Sequence, residues 1–126
     1  MKSNLAYATY SRNNISIESP EKLIEMLYEG ILRFAAQARK AIENNDIEKK
    51  TYWVNRCSAI FAELLNSLNY SGGDVAHYLS GLYIRQLQLL ALANIESNTN
   101  YLDEVINVTK NLLEAWKENT RIHDYE

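Results

Sequence analysis

Read from its amino end, the chain opens with a segment of no sustained period and then sets four long helical-period stretches between three short polar breaks. The first stretch starts at Ser19-Pro20. A serine hydroxyl there can accept from a free backbone N–H of the first turn, and a proline at the first helical position forfeits no hydrogen bond. Behind this start Leu23, Ile24, Leu27, Tyr28, Ile31, Phe34, Ala35 and Ala38 recur at steps of three and four, the spacing of one buried helix face. Asn44-Asn45-Asp46 breaks the pattern and offers Asp46 as a cap, after which Trp53, Val54, Cys57, Ile60, Phe61, Leu64, Leu65 and Leu68 form a second face. Gly72-Gly73 supplies a reversal, with Asp74 as a cap for a third helix. Beyond Ser97-Asn98-Thr99-Asn100, Leu102, Val105, Ile106, Leu112, Leu113 and Trp116 mark a fourth.

The spacing predicts helices over about 20–44, 46–68, 74–95 and 99–122. Helices of comparable length joined by short loops favour antiparallel neighbours. The expected fold is therefore all-α: an antiparallel up-and-down four-helix bundle in a single domain, residues 1–126, with 1–18 left as an N-terminal cap segment.

The third helix does not fit a simple bundle. From Val75 to Ile95 its only formally charged residue is Arg85, and its polar face is narrow: His77, Gly81, Arg85 and Gln88. On a helical wheel Val75, Leu79 and Ala93 lie at the centre of the apolar arc. Tyr78, Leu82 and Leu89 lie to one side, and Tyr83, Leu90, Leu87 and Ile84 to the other. The arc covers roughly two-thirds of the circumference, where a bundle helix needs about a third. Part of it must be exposed or covered by something else, and a contiguous exposed apolar patch marks a partner site. Leu5, Tyr7, Tyr10, Ile15 and Ile17 of the first segment can form a lid over it. The lid is either permanent or displaced by an amphipathic helix of another protein.

Composition narrows the function. The chain has 126 residues and a net charge of −3 from 13 basic and 16 acidic side chains, interspersed and without the basic block that a nucleic acid would attract. A lone cysteine, Cys57, allows no internal disulfide and is expected to pack as a small apolar residue in a reducing compartment. No signal pattern opens the chain, and the uncharged run from Gln86 to Ile95 falls far short of the ~20 residues that span a bilayer. A cytoplasmic protein is expected, with neither nucleic acid nor membrane insertion. Neither His77 nor His123 has the Glu three residues before it that a bundle metal pair requires, and there is no phosphate loop or nucleophile elbow. Catalysis, metal and cofactor are all unexpected. One alternative remains: His77-Tyr-Leu-Ser-Gly81 resembles the His-x-Leu-Lys-Gly stretch of histidine phosphotransfer domains, but Ser80 replaces the lysine that would steady a phosphoryl charge.

Nearly end to end, the chain resembles the family of the flagellar export chaperone FliS. The resemblance rests on Tyr7-Ala-Thr-Tyr10-Ser-Arg-Asn13, Ser19-Pro20 with Leu23, Met26-Leu27-Tyr28 and Gly30, Gly72-Gly73, Leu82-Tyr83, Ala93-Asn94, Glu104-Val105 and Ala115-Trp116. The chain departs from the family pattern at Ala6, where a proline often stands, and at Ile84-Arg85, where an acidic residue and an aromatic often follow. The resemblance implies a helical bundle in the bacterial cytosol that binds the disordered C-terminal segment of flagellin. Such a bundle keeps flagellin from polymerising and delivers it to the flagellar type III export gate; a co-chaperone or flagellar regulator is a further partner left open. It also implies an N-terminal cap in a hydrophobic pocket that flagellin takes over. The expected partner-binding residues are Tyr7 and Tyr10 for the lid or the export-gate contact, and Leu79, Leu82, Tyr83 and Leu87 for the groove.

Overall fold

A computed structural model describes residues 19–124. The helices are α1 (Pro20–Glu43), α2 (Ile47–Asn66), α3 (Asp74–Glu96) and α4 (Thr99–Asp124), with a single 3₁₀ turn at Tyr70–Gly72 before α3. Each helix packs on its neighbours in the chain, and α1 closes the ring on α4. The result is the all-α four-helix bundle expected from the sequence; the expected N-terminal cap segment lies outside the described residues.

Local chemistry sets the helix ends. Ser19 Oγ accepts from Lys22 N–H at 3.2 Å and Asp46 Oδ1 accepts from Lys49 N–H at 3.1 Å, so both caps read from the sequence are made. Asp74 departs from its expected role. Gly73 is the N-cap of α3, at φ 89° and without a side-chain cap bond, while Asp74 is in the first turn. A positive φ suits glycine and strains any side chain, which moves the helix boundary one residue back and leaves Asp74 to complement the helix dipole.

The core runs along the bundle axis. Leu23, Leu27, Tyr28, Ile31, Ala35 and Ala38 of α1 meet Val54, Cys57, Phe61 and Leu64 of α2, and Leu102 and Val105 of α4 complete the far side. α1 and α2 approach closely at Gly30, where a Cβ would stand 3.2 Å from Ile60 Cδ1. That contact fixes their register. α2 is tied to the end of α3 by polar bonds: the buried Lys50 ammonium donates to Asn94 O and Ser97 Oγ, both at 2.8 Å, and Thr51 Oγ1 donates to Asn94 Oδ1 at 3.2 Å. On the other side of α3, Arg85 reaches Glu104 of α4 at 3.5 Å.

Candidate functional site

Those polar bonds orient α3. Asn94 faces α2, so Leu87 and Ala91, seven and three residues earlier, lie on the α2 flank, with Ile84 beside them toward solvent. Arg85 faces α4, so Tyr78 and Leu82, seven and three residues earlier, lie on the α4 flank.

The polar face expected from the sequence is present: His77, Gly81, Arg85 and Gln88 are all exposed. Large apolar side chains are exposed beside it, Val75 at 68%, Tyr78 at 67%, Ile84 at 44% and Ile95 at 79%. Val75 is a correction to the helical wheel, which puts it at the centre of the apolar arc. In the first turn of α3 it stands exposed, whereas Ala93, at the same angle about five turns along, is fully buried. Helical period fixes the angle of a side chain but not whether a neighbouring helix reaches that level.

The six expected site residues divide. Tyr7 and Tyr10 lie outside the described residues. Tyr83 is interior: its hydroxyl meets that of Tyr28 at 2.6 Å, and its ring lies 6.0 Å from that of Phe61, so in this conformation it offers no surface to a partner. Leu79 is half-buried against the core. Leu82 and Leu87, both half-buried, point to opposite flanks of α3, five residues and about 140° apart. The structure therefore does not join Leu79, Leu82, Tyr83 and Leu87 in one groove.

What it does join is a strip along the α2 flank. Ser58 and Ala62 follow Thr51 at seven and eleven residues and so share its face toward α3, opposite Ile84, Leu87 and Ala91. None of these side chains is charged, and Ile84, Ala91 and the nearby Asn55 are exposed, so no described helix covers the strip. Small residues on one wall and branched aliphatics on the other leave room for a further helix to lie between them. The α4 flank is different, because the Arg85–Glu104 ion pair interrupts its apolar surface. Ser58 and Ala62 were not anticipated as site residues; small residues carry no apolar signal, and their value appears only once α3 lies beside them.

His77 lies on the polar face of α3. That histidine is exposed, its ring 5.1 Å from the ring of Tyr70, and Ser80 is half-buried where a phosphotransfer domain would place its lysine. Among the described residues, no cluster of His, Cys, Asp and Glu is built to hold a metal ion, and no helix is long and apolar enough to cross a membrane. Burial pushes the Cys57 thiol up to about 12, out of the range of a reactive thiolate.

Comparison with known proteins places this architecture. The family described as flagellar protein FliS matches residues 2–123. The flagellar secretion chaperone FliS of Campylobacter jejuni is 62% identical over 127 residues, covering 100% of this chain and 97% of that protein. Its namesake in Bacillus subtilis is 32% identical, with 89% of this chain and 84% of that protein covered. The corresponding chaperone of Salmonella typhimurium is 31% identical, with 90% and 86% covered. With one match reaching from residue 2 to residue 123 and one relative similar from end to end, the chain belongs to the flagellar protein FliS family.

Proposed function

We propose that the chain is a flagellar secretion chaperone of the bacterial cytoplasm that binds the disordered C-terminal segment of flagellin, prevents its polymerisation and delivers it to the flagellar export apparatus. The observation that carries this reading is the uncharged strip between α2 and α3, with exposed apolar side chains on α3, in a chain whose relatives are named as flagellar secretion chaperones. The action is binding without catalysis. A flagellin segment that is disordered alone folds as a helix against Ile84, Leu87, Ala91 and Ile95, and the entropy lost in ordering it is offset by apolar burial. Its own apolar face is then hidden from other flagellin chains. Tyr7 and Tyr10 belong to this proposal as the lid or gate contact, and Leu87 as the one expected groove residue that lies in the strip.

The test is calorimetric titration of a flagellin C-terminal fragment. Leu87→Lys places a charge in the strip at a half-buried position. It should weaken binding about tenfold or more while helicity stays unchanged. Leu82→Asp, on the α4 flank, should weaken binding less. The reverse order of effects would move the groove to the α4 side, and no effect from either would remove it from α3.

A further inference from the structure

A second concave surface lies on a different face of the molecule, between α1 and α2. It is a cleft of about 380 Å³ with Gly30, Phe34 and Ile60 at its base and Met26 and Ala59 on its walls. Its charges are sorted by position. α1 and α2 are joined by the short break at Asn44–Asp46 and pack antiparallel, with Gly30 meeting Ile60, so Glu29 and Glu63 border the end nearer Ser19, and Arg33 and Arg56 border the other.

The two arginines also differ from the others whose side chains are described. Arg39 is paired with Glu43 and Asp103, and Arg85 with Glu104. Among the described residues Arg33 and Arg56 hold no carboxylate. Instead their guanidinium carbons stand 5.8 Å and 4.7 Å from the centroid of the Phe34 ring, and Arg56 donates to the Tyr52 hydroxyl at 2.8 Å. A guanidinium has five N–H donors, so most of this donor capacity is turned to solvent beside an apolar cleft. Arginine against an aromatic ring, at the edge of a pocket, is the kind of group that dominates binding at protein interfaces.

We propose that this cleft is a docking site for an amphipathic helix of a second protein, with apolar anchors along one face and carboxylates in its last turn. The charge order sets the direction. The carboxylates, together with the negative end of the helix dipole, meet Arg33 and Arg56, while the positive N-terminal end meets Glu29 and Glu63. The bound helix therefore runs parallel to α1. Met26 to Phe34 spans about 12 Å, so the cleft reads roughly two turns, the reach of anchors at i, i+3, i+4 and i+7. This surface is separate from the α2–α3 strip, and both can be occupied at once with α2 as the shared wall.

The probe is a pair of short, labelled helical peptides with leucines at those four positions and either two glutamates or two lysines in the last turn, titrated into the full chain by fluorescence anisotropy. The glutamate peptide should bind at least about tenfold more tightly, and the variant Arg33→Glu/Arg56→Glu should invert the preference. Both arginines are exposed, so the variant should keep the circular dichroism of the parent. Ala59→Glu, at an exposed wall position, should weaken the glutamate peptide without touching either arginine. Equal binding of the two peptides, no saturable binding of either, or a preference that survives both variants would overturn the proposal. A saturating flagellin C-terminal fragment should leave peptide binding intact; displacement of the peptide would show one site for flagellin and no second partner.

Discussion

In the middle of the bundle the phenol oxygens of Tyr28 and Tyr83 meet at 2.6 Å, each the partner of the other, and both rings are buried. A Tyr83→Phe variant leaves the Tyr28 hydroxyl without that partner and should cost about 1–3 kcal/mol, whereas the double phenylalanine variant should cost less than the two single changes together. Urea unfolding of the four proteins gives the cycle, and strict additivity would show that the bond contributes nothing. Burial raises the pKa of both tyrosines above the ordinary 10.0 and carries Cys57 from 9.0 to about 12. In the unfolded chain these protons leave at the ordinary values, so above about pH 9 the unfolded state binds fewer protons than the folded one and is favoured. Stability should hold below that pH and fall as pH rises toward 12, with a shallower fall in Cys57→Ala; a melting temperature flat across this range would contradict the burial of all three groups. At this scale the sequence is informative where one residue acts through its own backbone. Ser19 and Asp46 cap as expected because a cap is local chemistry. Lys50, Gln86 and Thr109 were not foreseen as buried: a lysine at helical period reads as solvated, and only the arrival of the α3 C-terminus gives its ammonium two acceptors.

Among the elements α3 is the one whose role depends most on its neighbours. Its C-terminal end is held by Lys50, and its C-cap, Ser97, has φ 51°, a left-handed conformation that serine adopts at a cost. The ammonium offsets that strain by bonding Ser97 Oγ and Asn94 O together. Lys50→Met keeps the unbranched apolar stem and removes both bonds, so it should destabilise the bundle by about 1–3 kcal/mol and raise hydrogen exchange at the end of α3 before any other helix end. Uniform exchange along α3 would show that the clamp is not local. The excess of apolar surface on this helix was legible in the sequence, because a single arginine between Val75 and Ile95 leaves too few polar positions for an outward face. The composition of the candidate site was less so. A helical wheel ranks residues by angle, and it puts Leu82 and Tyr83 on opposite sides of one apolar arc; which of them turns inward was decided by the placement of α2 and α4, through Asn94 on one side and Arg85 on the other.

At the scale of the whole molecule, four well-separated apolar faces and short breaks were enough to specify a bundle, because helices that each bury one face and are joined by short loops have few ways to pack. The ring arrangement has a kinetic meaning as well. Three of its interfaces join helices adjacent in the chain, which can form as hairpins with little loop-closure entropy, but the fourth, α1 against α4, must bring together residues from opposite ends. Its outermost fastening is the Trp116 indole N–H, which donates to Glu21 O at 2.9 Å across 95 residues of sequence. A contact of that span should form after the transition state. Trp116→Phe should therefore speed unfolding while leaving the refolding rate nearly unchanged, a φ-value near zero, and stopped-flow measurement of both limbs decides it. A φ-value near one would mean that the ring closes first and the hairpins form inside it.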